Sequence, residues 1–269
     1  MPKLVAMLRV KDGQLFLNDW LANMVPLVDE IVAVDNGSVD GTFETLSRHP
    51  MVVSVDRTFG FDEGRDKTLL YARARARCPD WLLWLDVDET FENAVTRERL
   101  DLIMNTPRLT RIFFRRFHFI DDQNFNISPR WLWRTSSYDR VLWREAPTGY
   151  FENVPFNNGL VQGIPGPARI DHLRLRHTGY VDPGEVEKKI RIYREVDLSL
   201  EHIYQQMKFY GAIPARWRER DEAPVRVEVM SLFLDGIFSI KLMLRFIRRI
   251  TAQASAVIDS FFSGNGSKK

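Results

Sequence analysis

Apolar positions in the first half of the chain keep two alternating rhythms. Leu4-Val5-Ala6-Met7-Leu8 is a continuous apolar run of strand length, after which Phe16, Trp20, Leu21 and Met24 return at helical spacing. The alternation continues with strand-type runs at 30–34, 51–55 and 81–85 and helix-type patterns at 41–48 and 65–77. Strand and helix in turn predict parallel strands joined by crossover helices, an α/β fold with an open doubly wound sheet. Sheets of that kind bind ligands beyond the carboxyl ends of their strands, near the point where strand order reverses.

The second half is less regular. Residues 110–120, TRIFFRRFHFI, read as a long strand whose mixed apolar and basic positions predict one solvated face. From 121 to 166 the chain is rich in Asn, Pro, Gly and Trp without a clear period, so loops and short strands are expected there. Residues 168–177 read as a strand, and 182–210 as a long helix with Pro183 in its first turn. Pro214 and Pro224 break the pattern before a last helical block at 225–262.

Composition narrows the function classes. The 269 residues are 45% apolar and 28% charged, with a formal net charge of +2, which excludes a nucleic-acid binder working by charge alone. The single cysteine, Cys78, has no partner for an internal disulfide, and no Cys and His cluster has zinc spacing. The first residues are interrupted too soon by Arg9 and Lys11 for a signal peptide, and no run of 18 uncharged apolar residues exists. The expected location is cytoplasmic. The charge is unevenly spread: from Gly236 onward it is +5, leaving −3 on the preceding 235 residues. In that basic tail Lys241, Arg245, Arg248 and Arg249 gather opposite an apolar face, the pattern of a helix on an anionic membrane surface or packed on protein, including a second copy of the chain.

Two acidic clusters end predicted strands. In Asp86-Val87-Asp88 the carboxylates share one side of an extended chain, an arrangement suited to a hard divalent cation and substrate phosphates, or simply to a solvated turn. The run from Asp35 through Gly37, Ser38, Asp40 and Gly41 ends another strand and opens a helix, with glycines where backbone turns sharply. Asp35 is placed to accept hydrogen bonds from a ribose or base edge, and Ser38 or Asp40 to cap the helix.

The runs VDEIVAVDNGSVDGT, FDEGRDKTLLYARA and DWLLWLDVDETFE, in this order and spacing, resemble the family 2 glycosyltransferases, whose catalytic domain has the GT-A fold. The likeness extends to ARIDHLRLRHTGY and the basic helix after it, about 210 residues in all. It implies a Rossmann-like open mixed sheet flanked by helices, with a C-terminal helical extension. The implied domains are 1–212 for catalysis (1–105 for the nucleotide sugar, 106–212 on the acceptor side), 213–262 for an amphipathic extension and 263–269 for a disordered tail. The implied activity is metal-dependent, inverting transfer of a hexosyl or deoxyhexosyl group. The donor would be a nucleoside-diphosphate sugar and the acceptor a glycan or lipid-linked hydroxyl, at the cytoplasmic face of a membrane.

The same resemblance assigns residues. Asp35 would contact the base, and Arg65, together with Arg9, the nucleotide or its phosphates. Asp86 would lie against ribose and metal, Asp88 and His177 would ligate Mn2+ or Mg2+, and Lys188, Lys189 or Arg191 would meet the diphosphate. The chain departs from the family's R-N pair at Arg65-Asp66 and from its K-N-E at Lys11-Asp12-Gly13. For the general base, Trp143-Arg144-Glu145 is the best match to a V-H-E segment, with Asp121 and Asp122 as rivals. His177 alone is equally a surface hydrogen-bonding residue, and His118 and His172 read as structural. Trp131, Trp133, Trp143 and Tyr150 read as either a sugar-stacking platform or core. Two other readings compete. Asp86 resembles the nucleophile of haloacid-dehalogenase-type phosphatases, and the fold could bind nucleotide sugars without catalysis.

Overall fold

The computed structural model describes residues 1–127, 140–155, 160–196 and 213–220. Its first half alternates as the apolar rhythm predicts: β1 (Leu4–Val10), α1 (Gln14–Met24), β2 (Glu30–Asp35), α2 (Thr42–Arg48), β3 (Val52–Arg57), α3 (Glu63–Arg75) and β4 (Trp81–Trp84). There follow β5 (Glu89–Phe91), α4 (Arg97–Met104), β6 (Arg111–His118), β7 (Asn124–Asn126), β8 (Arg140–Arg144), β9 (Ala168–His177), α5 (Pro183–Val196) and β10 (Pro214–Arg216). Helix α3 starts two residues before the expected Arg65 because Asp62 accepts the Arg65 amide and caps it. The expected helix at 182–210 is described only to Val196, and the basic helix and tail expected beyond residue 220 lie outside the described residues.

Eight strands form one mixed sheet in the order β3-β2-β1-β4-β8-β6-β9-β5. Strands β3, β2, β1 and β4 are mutually parallel, β8 runs against both β4 and β6, and β6 is parallel to β9. The chain steps outward from β1 to β2 to β3, and α3 then carries it back to β4 on the far side of β1. Strand order thus reverses between β1 and β4, and open α/β sheets bind ligands beyond the carboxyl ends of the strands at such a point.

The pleat sorts the core. Leu4, Ala6, Leu8 and Val10 face one way with Trp81, Leu83 and Leu85, and pack under Leu17, Trp20, Leu21 and Met24 of α1 and Leu100, Ile103 and Met104 of α4. On the opposite face lie Tyr71 of α3, Trp84, Trp143 and Phe151, whose rings meet at centroid distances of 5.3–6.3 Å. Trp143 is fully buried, so it belongs to the core and not to a sugar platform. Trp131 and Trp133 lie outside the described residues, and Tyr150 is half exposed beside Gln162.

The expected solvated face of β6 is corrected. Of its basic residues only Arg115 is exposed; Arg111 is buried and Arg116 pairs with the fully buried Glu89 at 2.9 Å. Strand β9 pairs alongside β6 and supplies arginines of its own, and the sheet matches Arg116 to Glu89 and Arg174 to Glu92, both buried acids. Segment 213–220 is joined to the body through β10 pairing with β7 and through Arg220, whose guanidinium binds Glu92. No described helix is long and apolar enough to cross a membrane.

Candidate functional site

The loops after β1 and β2 are laced together by short hydrogen bonds. The Asp12 amide donates to Ser38 Oγ at 2.7 Å, the Val39 amide to Asp12 Oδ1 at 2.7 Å, and the Gln14 amide to Asp40 Oδ2 at 2.9 Å. Gly37 and Gly41 both have positive φ, and a Cβ at Gly37 would press on the Phe59 ring, so the turn demands glycine there. Asp12, in the departure from K-N-E, also has positive φ, at 47°. Asp40 rather than Ser38 accepts the Thr42 amide at the start of α2. Burial pushes the Asp40 carboxyl up, but bonds from Thr42 and Gln14 outweigh it and hold the group below its ordinary range.

At the centre of this ridge Asp35 is fully buried. Its Oδ1 accepts the amides of Gly37 and Ser38 at 3.1 and 3.0 Å and pairs with Arg57 at 3.3 Å, whereas its Oδ2 accepts no hydrogen bond from the described residues. A buried carboxylate oxygen without a donor is uncommon among native carboxylates.

Asp66, the departure from the family's R-N pair, is fully buried and gathers three neighbours. Arg9 Nε donates to it at 3.0 Å, Arg65 Nη2 at 2.8 Å and Asn36 Nδ2 at 3.1 Å. A buried carboxylate is tolerated because two guanidinium groups neutralise it. The Arg65 guanidinium is also held by the carbonyls of Phe59 and Gly60.

Beyond β4 the chain turns at Asp86 and Asp88. Asp86 Oδ1 accepts the Trp84 indole N–H at 3.2 Å, and its amide donates to Glu89 Oε2 at 3.0 Å. Asp88 is buried, lies 3.6 Å through Oδ2 from His177 Nε2, and forms an ion pair with Lys189 through that same oxygen. The Thr178 amide donates to the Asp88 carbonyl at 2.9 Å and so holds the β4 turn against the end of β9. A Cβ on Gly179 would fall on Asp88 Oδ2 and on Lys189 Nζ, so only glycine admits this approach.

His177 is seated by a residue that sequence reasoning left structural. His118, in register with it across β6 and β9, lies Nδ1 to Nδ1 at 3.0 Å, and Tyr180 packs on His177 at 4.7 Å between ring centroids. No local pattern joins two histidines 59 residues apart; only the register of two long strands does. Of the three basic candidates on α5, Lys189 reaches Asp88, Lys188 donates to the Asp12 carbonyl and to Glu185, and Arg191 is exposed on the helix.

The base candidates separate sharply. Trp81 at the start of β4 lies opposite Arg144 of β8, and the Glu145 amide donates to the Asp80 carbonyl. Glu145 therefore sits at the amino end of β4, roughly 20 Å of extended chain from Asp86. There it accepts from Tyr71 at 2.8 Å and pairs with Arg75 at 2.6 Å. Burial first and then the Glu145 carboxylate push the Tyr71 hydroxyl well above its ordinary pKa, as befits a structural pair. Asp121 and Asp122 follow β6 at the site's end of the sheet. Asp121 caps the β6–β7 turn through the Gln123 and Asn124 amides, and the Asn124 side chain holds its carboxyl below the usual range. Asp122 is exposed beside it.

The donor set around Asp88 is one carboxylate oxygen, the ligand type that suits Mn2+ or Mg2+, and one imidazole nitrogen, which favours softer divalent cations than Mg2+. Among the described residues no group of three His, Cys, Asp or Glu side chains gathers as a complete metal cage. A cation held here would take the rest of its ligands from water or a phosphate.

No known protein-family profile matches the chain, and no curated protein matches it in sequence. Among solved structures, the 1–349 fragment of S. aureus TarS is similar with a TM-score of 0.45 at 13% identity, over 76% of this chain and 69% of that one. The same fragment in complex with UDP gives 0.46 at 12% identity over the same shares. The mannosyltransferase PcManGT from Pyrobaculum calidifontis, in complex with GDP-Man and Mn2+, gives 0.44 at 12% identity over 79% of this chain and 66% of that one.

Proposed function

We propose that the chain is a metal-dependent, inverting glycosyltransferase that moves a sugar from a nucleoside-diphosphate donor to a hydroxyl of a glycan or lipid-linked acceptor. The observation that carries the reading is Asp35 Oδ2, buried at the carboxyl end of β2 beside the strand-order reversal and accepting no hydrogen bond from the described residues. A nucleobase N–H satisfies it, and the laced loops after β1 and β2 supply a rigid wall for the nucleoside.

Asp88 and His177 would hold Mn2+ or Mg2+, which when bound supplies positive charge against the leaving diphosphate. Asp86 would lie on the ribose side, Arg9 and Arg65 along the nucleotide, and Lys188, Lys189 and Arg191 on the diphosphate side. Direct displacement forms the bond between acceptor oxygen and anomeric carbon as the bond from that carbon to the diphosphate oxygen breaks. The nucleoside diphosphate leaves, the configuration inverts, and the acceptor's proton passes to a base. Asp122 fits that role better than its rivals, because Asp121 is spent on a turn and Glu145 is at the other end of β4. A phosphatase using Asp86 as nucleophile is not favoured: the motif ends the fourth strand, not the first, and the Asp86 carboxylate accepts the Trp84 indole.

A thermal-shift panel of nucleotide sugars with and without Mn2+ tests the reading. One donor should stabilise the protein only with metal, by about 2.7 kcal/mol at 100 times its Kd. Asp88→Ala should abolish the metal-dependent part. A panel with no metal-dependent shift, or turnover of simple phosphomonoesters, would sink the reading.

A further inference from the structure

The oxygen that faces His177 is already taken. Lys189 lies on the second turn of α5, between Val186 and Ile190, which are buried and fix that face of the helix against the body. Its ammonium pairs with Asp88 Oδ2, lies 3.4 Å from the Gly179 carbonyl and 5.6 Å from the centre of the Tyr180 ring. His177 Nε2 stands 3.6 Å from that same Oδ2. Both side chains of the pair are largely withdrawn from water, 7% exposed for Asp88 and 26% for Lys189. A divalent cation seated between Asp88 and His177 therefore meets an ammonium on its own ligand oxygen, and like charges at that range repel strongly in a partly dry site.

Resting on the reading above, we propose that Lys189 is a tethered counter-ion. It neutralises Asp88 in the free protein, yields that oxygen when a divalent cation enters with a nucleoside diphosphate, and turns to the diphosphate. The long, flexible lysine stem allows one ammonium to serve both partners. A bound diphosphate offers the displaced ammonium a second anionic partner in place of Asp88, so cation and nucleotide each strengthen the other's binding beyond their direct contact, and by linkage the effect is reciprocal.

The probes are Mn2+ alone, measured by loss of the free-ion electron paramagnetic resonance signal, and UDP or GDP with and without Mn2+, measured by calorimetry. Lys189→Met should bind Mn2+ alone about tenfold more tightly than the unaltered chain, and bind the favoured diphosphate about tenfold more weakly. Lys189→Gln, which keeps a similar length without charge, should do the same, whereas Lys189→Arg should leave Mn2+ affinity low. A residue that merely supports the fold does not strengthen metal binding when removed. Mn2+ binding that is lost in Asp88→Asn yet unchanged or weakened in Lys189→Met and Lys189→Gln overturns the role of Lys189 and leaves the function standing. Absence of Mn2+ binding in the unaltered chain with either diphosphate overturns both.

Discussion

His118 at the end of β6 and His177 at the end of β9 face each other through their Nδ1 atoms at 3.0 Å, both buried. One Nδ1 must donate and the other accept, so the pair shares a single proton on that contact. Replacing His118 with Phe removes this partner from a buried polar nitrogen, a loss of about 1–3 kcal/mol in urea denaturation. His118→Asn, which keeps a polar atom near the position of Nδ1, should recover part of it. If His177 is a cation ligand, His118→Phe should also weaken Mn2+ binding about 10- to 100-fold, since outer partners orient ligating imidazoles.

Gly179 is the gap through which Asp88 and Lys189 meet. Gly179→Ala puts a methyl group onto both charged atoms, so both must move. The expected cost is about 1–3 kcal/mol of stability together with loss of the metal-dependent thermal shift. A variant with unchanged Mn2+ response would show that the close approach is dispensable.

On the proposed function, Glu145 and Asp122 are the two base candidates to compare. Glu145→Gln weakens its contacts to Tyr71 and Arg75 and should lower stability by about 1 kcal/mol, while leaving the rate of sugar transfer unchanged. Loss of a general base would instead slow transfer about 10²- to 10⁴-fold, the result expected for Asp122→Asn. Kinetics of the two variants side by side decide between the ends of the sheet.

Glu92 sets a pH dependence of stability. Burial pushes its carboxyl up, but hydrogen bonds from Arg220 and Arg174 outweigh burial and hold it below the ordinary 4.5. With the folded pKa depressed, the unfolded chain takes up the proton first. The contribution is therefore full above about pH 4.5 and is lost as pH falls toward the folded value. Thermal melts of Glu92→Gln should show roughly 3 kcal/mol lower stability at neutral pH and a shallower decline on acidification. An unchanged acid slope would count against this ion cluster.

The alternation of β1 to β4 with their helices was legible because each element is decided locally. The apolar runs at β1, β2 and β4 are short and bounded by turn residues, as buried strands are, and the return of Phe16, Trp20, Leu21 and Met24 at helical spacing marks one face of a helix. The acids at strand ends were legible for the same reason, since Asp35 and Asp86 sit one step beyond such runs and Asp88 two residues further. Strands β5 and β7 escaped notice because three residues carry no period, and α4 because its apolar face is too narrow between charged neighbours.

The sequence alone determined which residues could carry the chemistry; the tertiary structure decided which of them meet. Whether Glu145 stood beside Asp88 depended on the direction of β8, and antiparallel pairing with β4 sends it to the far end. His118 joins His177, and Lys189 joins Asp88, through strand register and helix docking over separations of 59 and 101 residues. Local pattern carries the period of an element but not the partner it will find, because partnership is settled by the burial of whole faces at once.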